Sequence, residues 1–212
     1  MLGDHRCYRL LQGVASAVFA AVLIVLGATG AGALSATVIR DSQYGFSFSV
    51  PSNWKQVPLD GSDVTALLNA ATHDDPSLTN ALNSEVISES SKGMKVFAIG
   101  PIEGTATPSV NVIISSAAGS PSGRAFSSAA VAEAKMEFTQ LGAHHIETSI
   151  VNNRLGDAAK VTYQLSVKTL GQQYGVQYYV RHKSYLAIVT LATPSLASSQ
   201  SDARLLVNSW QW

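Results

Sequence analysis

The second half of this sequence alternates regularly between apolar and polar residues, which is the pattern of a half-buried β-strand. The clearest run sets Ala159, Val161, Tyr163, Leu165 and Val167 against Lys160, Thr162, Gln164, Ser166 and Lys168. Two similar runs follow over residues 174–181 and 185–193, and only a few residues separate each run from the next. Because strands joined by such short turns pair antiparallel, this region predicts a three-stranded antiparallel meander.

Further strands and helices are predicted on both sides of the meander. Short apolar or alternating runs predict strands over 37–39, 46–50, 94–99, 110–115 and 146–151. Helical spacing of apolar residues predicts two short helices between residues 60 and 92, a longer helix over 128–141 and a C-terminal helix over 196–212. This order of elements predicts an α+β fold, in which helices cover a mainly antiparallel sheet.

The first residues of the chain resemble a targeting segment. Arg6 and Arg9 precede an apolar run that carries no charge, and small residues follow it. The most apolar part, Val14 to Leu26, is shorter than the roughly 20 residues that a membrane span needs. Cleavage of a signal peptide before Leu34 or Thr37 is therefore the favoured interpretation, and an uncleaved membrane anchor is the alternative.

Both interpretations predict the same organisation. Residues 1–36 form an apolar helix that acts as a signal peptide or as a single-pass transmembrane anchor, and residues 37–212 form one extracytoplasmic domain. The protein is then exported to the cell envelope or secreted, and it meets the membrane only through the N-terminal segment if that segment is not cleaved.

The composition excludes several classes of function. The chain has 14 Lys and Arg against 14 Asp and Glu, so its formal net charge is zero and there is no basic field to attract nucleic acid. Its one cysteine, Cys7, precedes the apolar run, so no disulfide and no cysteine nucleophile are expected in the domain.

Catalytic, metal and cofactor motifs are not found. His144 and His145 are adjacent and would point to opposite faces of a strand, and His73 has no second histidine or cysteine nearby. The segment 119–123 has a proline where a G-x-S-x-G nucleophile elbow needs its serine. We therefore expect no catalytic residue, no metal site and no cofactor, and the chain is not predicted to be an enzyme.

Tyrosines in the meander are the remaining candidates for a binding surface. Tyr174 and Tyr178 are predicted to share one face of their strand, and Tyr179 and Arg181 the other. Tyrosines on a sheet usually pack in the core, and that interpretation is favoured here. The alternative is that one face is left uncovered, so that Tyr179 and Arg181 contact a partner or an apolar ligand.

The element order, together with the segments YGFSFSVPSNW at 44–54 and MKVFAIG at 94–100, resembles the PsbP-like superfamily. Within it, the actinobacterial LpqN/LpqT-type envelope proteins are the most similar group. The resemblance implies a PsbP-like α/β/α sandwich and a non-catalytic binding or assembly role. It also implies lipid anchoring for a protein of the LpqN type, but this chain has no cysteine directly after the apolar run.

The sequence thus favours a non-enzymatic, extracytoplasmic binding or accessory module of the cell envelope, with an envelope protein or an apolar ligand as its partner. Two alternatives stay open, namely an envelope hydrolase with an unrecognised site and a purely structural envelope component.

Overall fold

A computed structural model describes residues 35–59, 93–101, 107–118, 123–167 and 171–212 of the chain. Its strands are β1 (Ala36–Asp41), β2 (Phe46–Pro51), β3 (Lys55–Gln56), β4 (Met94–Ile99), β5 (Ser109–Ser116), β6 (His144–Asn153), β7 (Gly156–Val167), β8 (Gly171–His182) and β9 (Tyr185–Thr193). The described helices are α1 (Gly123–Gln140) and α2 (Leu196–Ser209).

Seven of these strands form one antiparallel sheet in the order β3-β4-β5-β9-β8-β7-β6. The strands β1 and β2 form a separate antiparallel hairpin. The meander predicted from the alternating runs is present as β7, β8 and β9, and β9 has the predicted bounds.

The first face of the large sheet is covered by α1. This helix buries Phe126, Ala130, Ala134 and Phe138 against the residues of β7 and β8 that point to its side. The ring of Phe138 stacks on Tyr163, with 4.1 Å between the ring centroids.

The second face is covered by two elements together, α2 and the β1–β2 hairpin. Phe46 and Phe48 from the hairpin both stack on Trp210, each with 5.2 Å between ring centroids. Ser47 and Gln211 exchange two backbone hydrogen bonds of 2.9 Å, so the hairpin is also tied to the segment that follows α2.

The predicted α+β class, a mainly antiparallel sheet with helices on its faces, is confirmed, and the hairpin is an additional cover that the sequence interpretation lacks. The N-terminal apolar helix and the two helices expected between residues 60 and 92 lie outside the described residues. Within the described part of the chain, no helix is long and apolar enough to cross a membrane.

Two helix boundaries differ from the prediction. α1 begins at Gly123, five residues earlier than expected, because Phe126 extends its buried face by one turn. α2 ends at Ser209, and Trp210 adopts an extended backbone with φ −61° and ψ 136°. Trp210 is buried as expected, but from the segment after the helix, where its ring meets Phe46 and Phe48.

Gly175 in β8 makes room for an aromatic ring. Tyr163 lies directly opposite it in β7, and a Cβ atom at position 175 would come within 2.0 Å of the Tyr163 Cζ. The tyrosine ring therefore lies across the glycine backbone, where it also contacts α1 through Phe138.

We expect Gly175→Ala to destabilise the domain by about 1 to 3 kcal/mol, because the ring must leave a tightly packed site. Chemical denaturation measures the effect. Adding Tyr163→Leu to Gly175→Ala should recover part of the loss, since leucine does not reach across the strand. Strict additivity of the two substitutions would contradict the packing described here.

Candidate functional site

A groove of about 680 Å³ lies on the second face of the sheet, beside α2. It exists because α2 packs over β8, β9 and the hairpin, and no described element covers the neighbouring part of β6 and β7 on this face. Its volume falls in the range of small-molecule sites, about 300 to 1,000 Å³.

The floor of the groove is a lattice of cross-strand pairs. Lys160 lies opposite Tyr178, and Thr162 lies between Glu147 and Val176. Side chains directly opposite each other in an antiparallel sheet have their Cβ atoms about 4.5 to 5.5 Å apart, so these groups are close enough to contact one small molecule together.

A fourth cross-strand pair, Gln164 with Tyr174, extends the floor. The Oε1 of Gln164 accepts a 2.6 Å hydrogen bond from the side chain of Gln172, which fixes the orientation of its amide.

The wall of the groove is one side of α2. It presents Leu196, Ser199, Gln200, Ala203, Arg204, Val207 and Asn208. The helix starts with Ser195 as N-cap, whose hydroxyl accepts a 3.1 Å hydrogen bond from the backbone N–H of Ser198. This cap fixes where the wall begins.

The charged groups of the groove are Lys160, Arg204 and Glu147, with His145 beside them. Among the residues that the structure describes, neither Lys160 nor Arg204 has an ion-pair partner. Burial raises the pKa of Tyr178 to about 12, so its phenol stays protonated and serves as a hydrogen-bond donor. The groove therefore carries two cations against one acid, with the Tyr178 hydroxyl as a further hydrogen-bond donor.

His145 reaches the groove through an irregularity in β6. The pairing with β7 shifts between His144 and Glu147, and His145 has a φ of 49°, in the left-handed region. Such bulges turn a side chain away from the direction that regular alternation gives. The two neighbouring histidines do not both face the groove, because His145 lines it and His144 does not.

The surface interpretation of Tyr179 is excluded by its burial. Its side chain is 1% exposed beneath α1, and its hydroxyl donates a 3.1 Å hydrogen bond to the Oε1 of Gln177. Arg181, two residues further on the same face, is half-buried. The tyrosines of β8 that line the groove are Tyr174 and Tyr178, which share one face as the sequence alternation predicts.

Among the described residues, no other candidate site residue from the sequence analysis lines the groove. Within the described ranges, no three of the His, Cys, Asp and Glu side chains come together in a way that could hold a metal ion. His73 and Cys7 lie outside the described residues.

A pair of acids lies on the opposite face of the sheet. Burial and the neighbouring Glu133 raise the pKa of Glu137 in α1 to about 7. Burial also raises the pKa of Glu133. Burial and the charge of Glu137 raise the pKa of Tyr163 as well. The Tyr163 hydroxyl is buried without a hydrogen-bond partner in the described structure.

Comparison with known proteins finds solved structures with a similar fold. No family model matches the chain, and no curated protein matches it. A similar solved structure is the cyanobacterial PsbP protein CyanoP from Synechocystis, with a TM-score of 0.48, 15% identity, and coverage of 88% of this chain and 98% of that chain. LpqN of Mycobacterium tuberculosis, described as involved in cell envelope biogenesis, has a TM-score of 0.47, 12% identity, and coverage of 90% and 89%.

The Ran-binding protein Mog1p of Saccharomyces cerevisiae has a TM-score of 0.47, 8% identity, and coverage of 84% of this chain and 96% of that chain. The chain spans 44% of the length of another match, a protein from Bacteroides thetaiotaomicron. PsbP and LpqN, which the sequence resemblance names, are thus both among the similar structures. At these identities and TM-scores the likeness concerns the fold alone and carries no argument about a ligand or partner.

The raised pKa of Glu137 predicts a pH dependence of stability. Its pKa is about 7 in the folded protein and about 4.5 in the unfolded chain, so the folded state binds more protons between these values and stability falls as pH rises through that window. Glu137→Gln removes this loss, and we expect it to stabilise the protein at pH 8 by about 1 kcal/mol, a value reduced for solvent screening.

Thermal unfolding between pH 4 and pH 8 tests this expectation. The gain of Glu137→Gln should disappear below about pH 4.5. Glu147→Gln is the matched control, because Glu147 is exposed on the other face of the sheet. A gain of equal size at all pH values would contradict the assignment.

Proposed function

We propose that this chain is an exported, non-catalytic binding module of the cell envelope, and that its groove between α2 and strands β6 to β8 holds a polar, anionic ligand. The proposal of export rests on Arg6 and Arg9 before an uncharged apolar run. The proposal of a binding role rests on the groove.

The observation that carries the proposal is the pair of cations without ion-pair partners, Lys160 on the floor and Arg204 on the wall. Both face the same groove, and the one acid that lines it among the described residues, Glu147, leaves an excess of positive charge. A phosphate or carboxylate group that enters the groove can accept charge-assisted hydrogen bonds from these cations.

The remaining groups suit the uncharged part of such a ligand. Amides at Gln164, Gln200 and Asn208 provide donors and acceptors. Tyr174 and Tyr178 provide flat apolar surface beside hydroxyl groups. This mixture favours a polar molecule with hydroxyl groups over the apolar ligand expected from the sequence.

We expect a panel of anionic compounds to contain members that raise the melting temperature of the purified protein. The panel consists of phosphorylated sugars, sugar acids, phospholipid headgroups and inorganic phosphate. A ligand at 100 times its dissociation constant stabilises the folded state by about 2.7 kcal/mol. The double variant Lys160→Ala/Arg204→Ala should lose this response.

The matched control is Lys55→Ala/Arg124→Ala, which removes two exposed cations outside the groove. It should respond as the unaltered protein does. An undiminished response in the groove variant, or no response to any compound in the unaltered protein, would contradict the proposed ligand site.

Export has a separate test. A reporter enzyme that is active only outside the cytoplasm, fused after Trp212, should be active, because Arg6 and Arg9 retain the start of the chain on the cytoplasmic side. Replacing both arginines by glutamate should reduce this activity. Activity of a cytoplasm-specific reporter at the same position would refute the proposal of export.

A further inference from the structure

Strand β6 forms one edge of the seven-stranded sheet. It pairs with β7 on one side, and no other described strand lies on its outer side. Most of its residues are exposed, and Ile150 in its centre is 37% exposed although it is large and apolar. At 10 residues it is long for an edge strand.

Edge strands are normally protected, because their free N–H and C=O groups can pair with another strand. Charges, prolines, bulges and short length are the usual protections. In β6 the bulge lies near the first residues, and the stretch from Thr148 to Asn153 contains neither a charge nor a proline. Among the described residues, nothing pairs with the regular part of this edge.

The open groups of β6 belong to alternate residues. In an antiparallel ladder, every second residue bonds to its neighbour and the others direct their N–H and C=O outward. Counted from the Asn153–Gly156 pair that closes the β6–β7 hairpin, the outward residues are Thr148, Ile150 and Asn152.

We propose that β6 pairs antiparallel with β6 of a second copy of this chain, with Ile150 on the two-fold axis. In this register Ile150 lies opposite its own copy, and Thr148 lies opposite Asn152. Every outward residue then meets an outward residue, so the ladder closes with regular hydrogen bonds. The exposed isoleucine is covered by its own symmetry mate.

The charges at the two ends of this stretch fit the same register. Glu147 of one copy lies opposite Asn153 of the second copy, directly before Arg154 of that copy. Both Glu147 and Arg154 are exposed. Within the ladder, no two like charges lie directly opposite each other.

Pairing in this register has a consequence for the groove. Residues directly opposite each other in a ladder point to the same face of the sheet. The two large sheets therefore become one, and both grooves open on the same face, on either side of the two-fold axis. This interface is independent of whether the groove binds an anion.

Disulfide cross-linking of the full chain tests the register in a Cys7→Ser background. Ile150→Cys should form a disulfide-linked dimer in isolated membranes or envelope extracts after mild oxidation, because opposite Cα atoms lie about 5.5 Å apart. Thr148→Cys alone should not, since its own copy is displaced by four residues, about 13 Å along the strand. Thr148→Cys and Asn152→Cys, expressed together with different tags, should link to each other.

A second variant separates pairing from folding. Ile150→Lys places two ammonium groups on the two-fold axis and should abolish the Thr148–Asn152 cross-link while the melting temperature stays within a few degrees. Val38→Lys, at another exposed apolar strand residue (52% exposed), is the control and should leave the cross-link unchanged. Absence of the Ile150→Cys dimer, or equal cross-linking of all single cysteines, would overturn the proposal.

Discussion

The stacking of Phe46 and Phe48 on Trp210 is the interaction on which the arrangement of the second face depends. The three rings are nearly parallel, with interplanar angles of 8° and 6°. Aromatic pairs contribute about 0.5 to 1.5 kcal/mol each beyond the area they bury. The indole N–H of Trp210 has no hydrogen-bond partner in the described structure, which costs about 1 to 3 kcal/mol. Packing alone therefore holds the side chain of Trp210 in place.

This cluster also determines where the groove lies. The rings fix α2 beside the hairpin, so α2 cannot cover the whole second face of the sheet. Lys160, Thr162 and Gln164 point to the part of this face that no described element covers, and β7 is polar there while its other side is apolar. The wall and the floor of the groove are thus positioned by contacts that lie outside the groove itself.

Much of the sheet could be predicted from the sequence because each strand face has its own environment. The alternation in β7 separates Val161 and Tyr163 from Lys160 and Thr162, and the structure places these two sets on opposite faces. The end of α2 could not be predicted, because Trp210 continues the helical spacing of Leu206 and Val207. Its extended conformation is set by the hairpin, which is distant in sequence.

The candidate site was harder to predict than the fold. Lys160 and Arg204 lie on different elements, and only the packing of α2 brings them to one groove. Packing also decides which tyrosines of β8 line the groove. Alternation assigns Tyr178 and Tyr179 to opposite faces, but which face is covered depends on the position of α1, which covers Tyr179.

The position of the titratable groups bears on the choice between a binding module and an enzyme. A carboxyl with a pKa near 7, as in Glu137, is often a sign of a catalytic site. Here burial under α1 and the charge of Glu133 account for it, and the sheet separates both acids from the groove. The groove holds a single acid among the described residues, so the paired carboxylates that hydrolysis of a glycoside needs do not meet there. The acids with raised pKa values and the ligand-sized groove therefore lie on opposite faces of the sheet, and burial under α1 with the mutual charge of the two acids is sufficient to explain the raised pKa of Glu137.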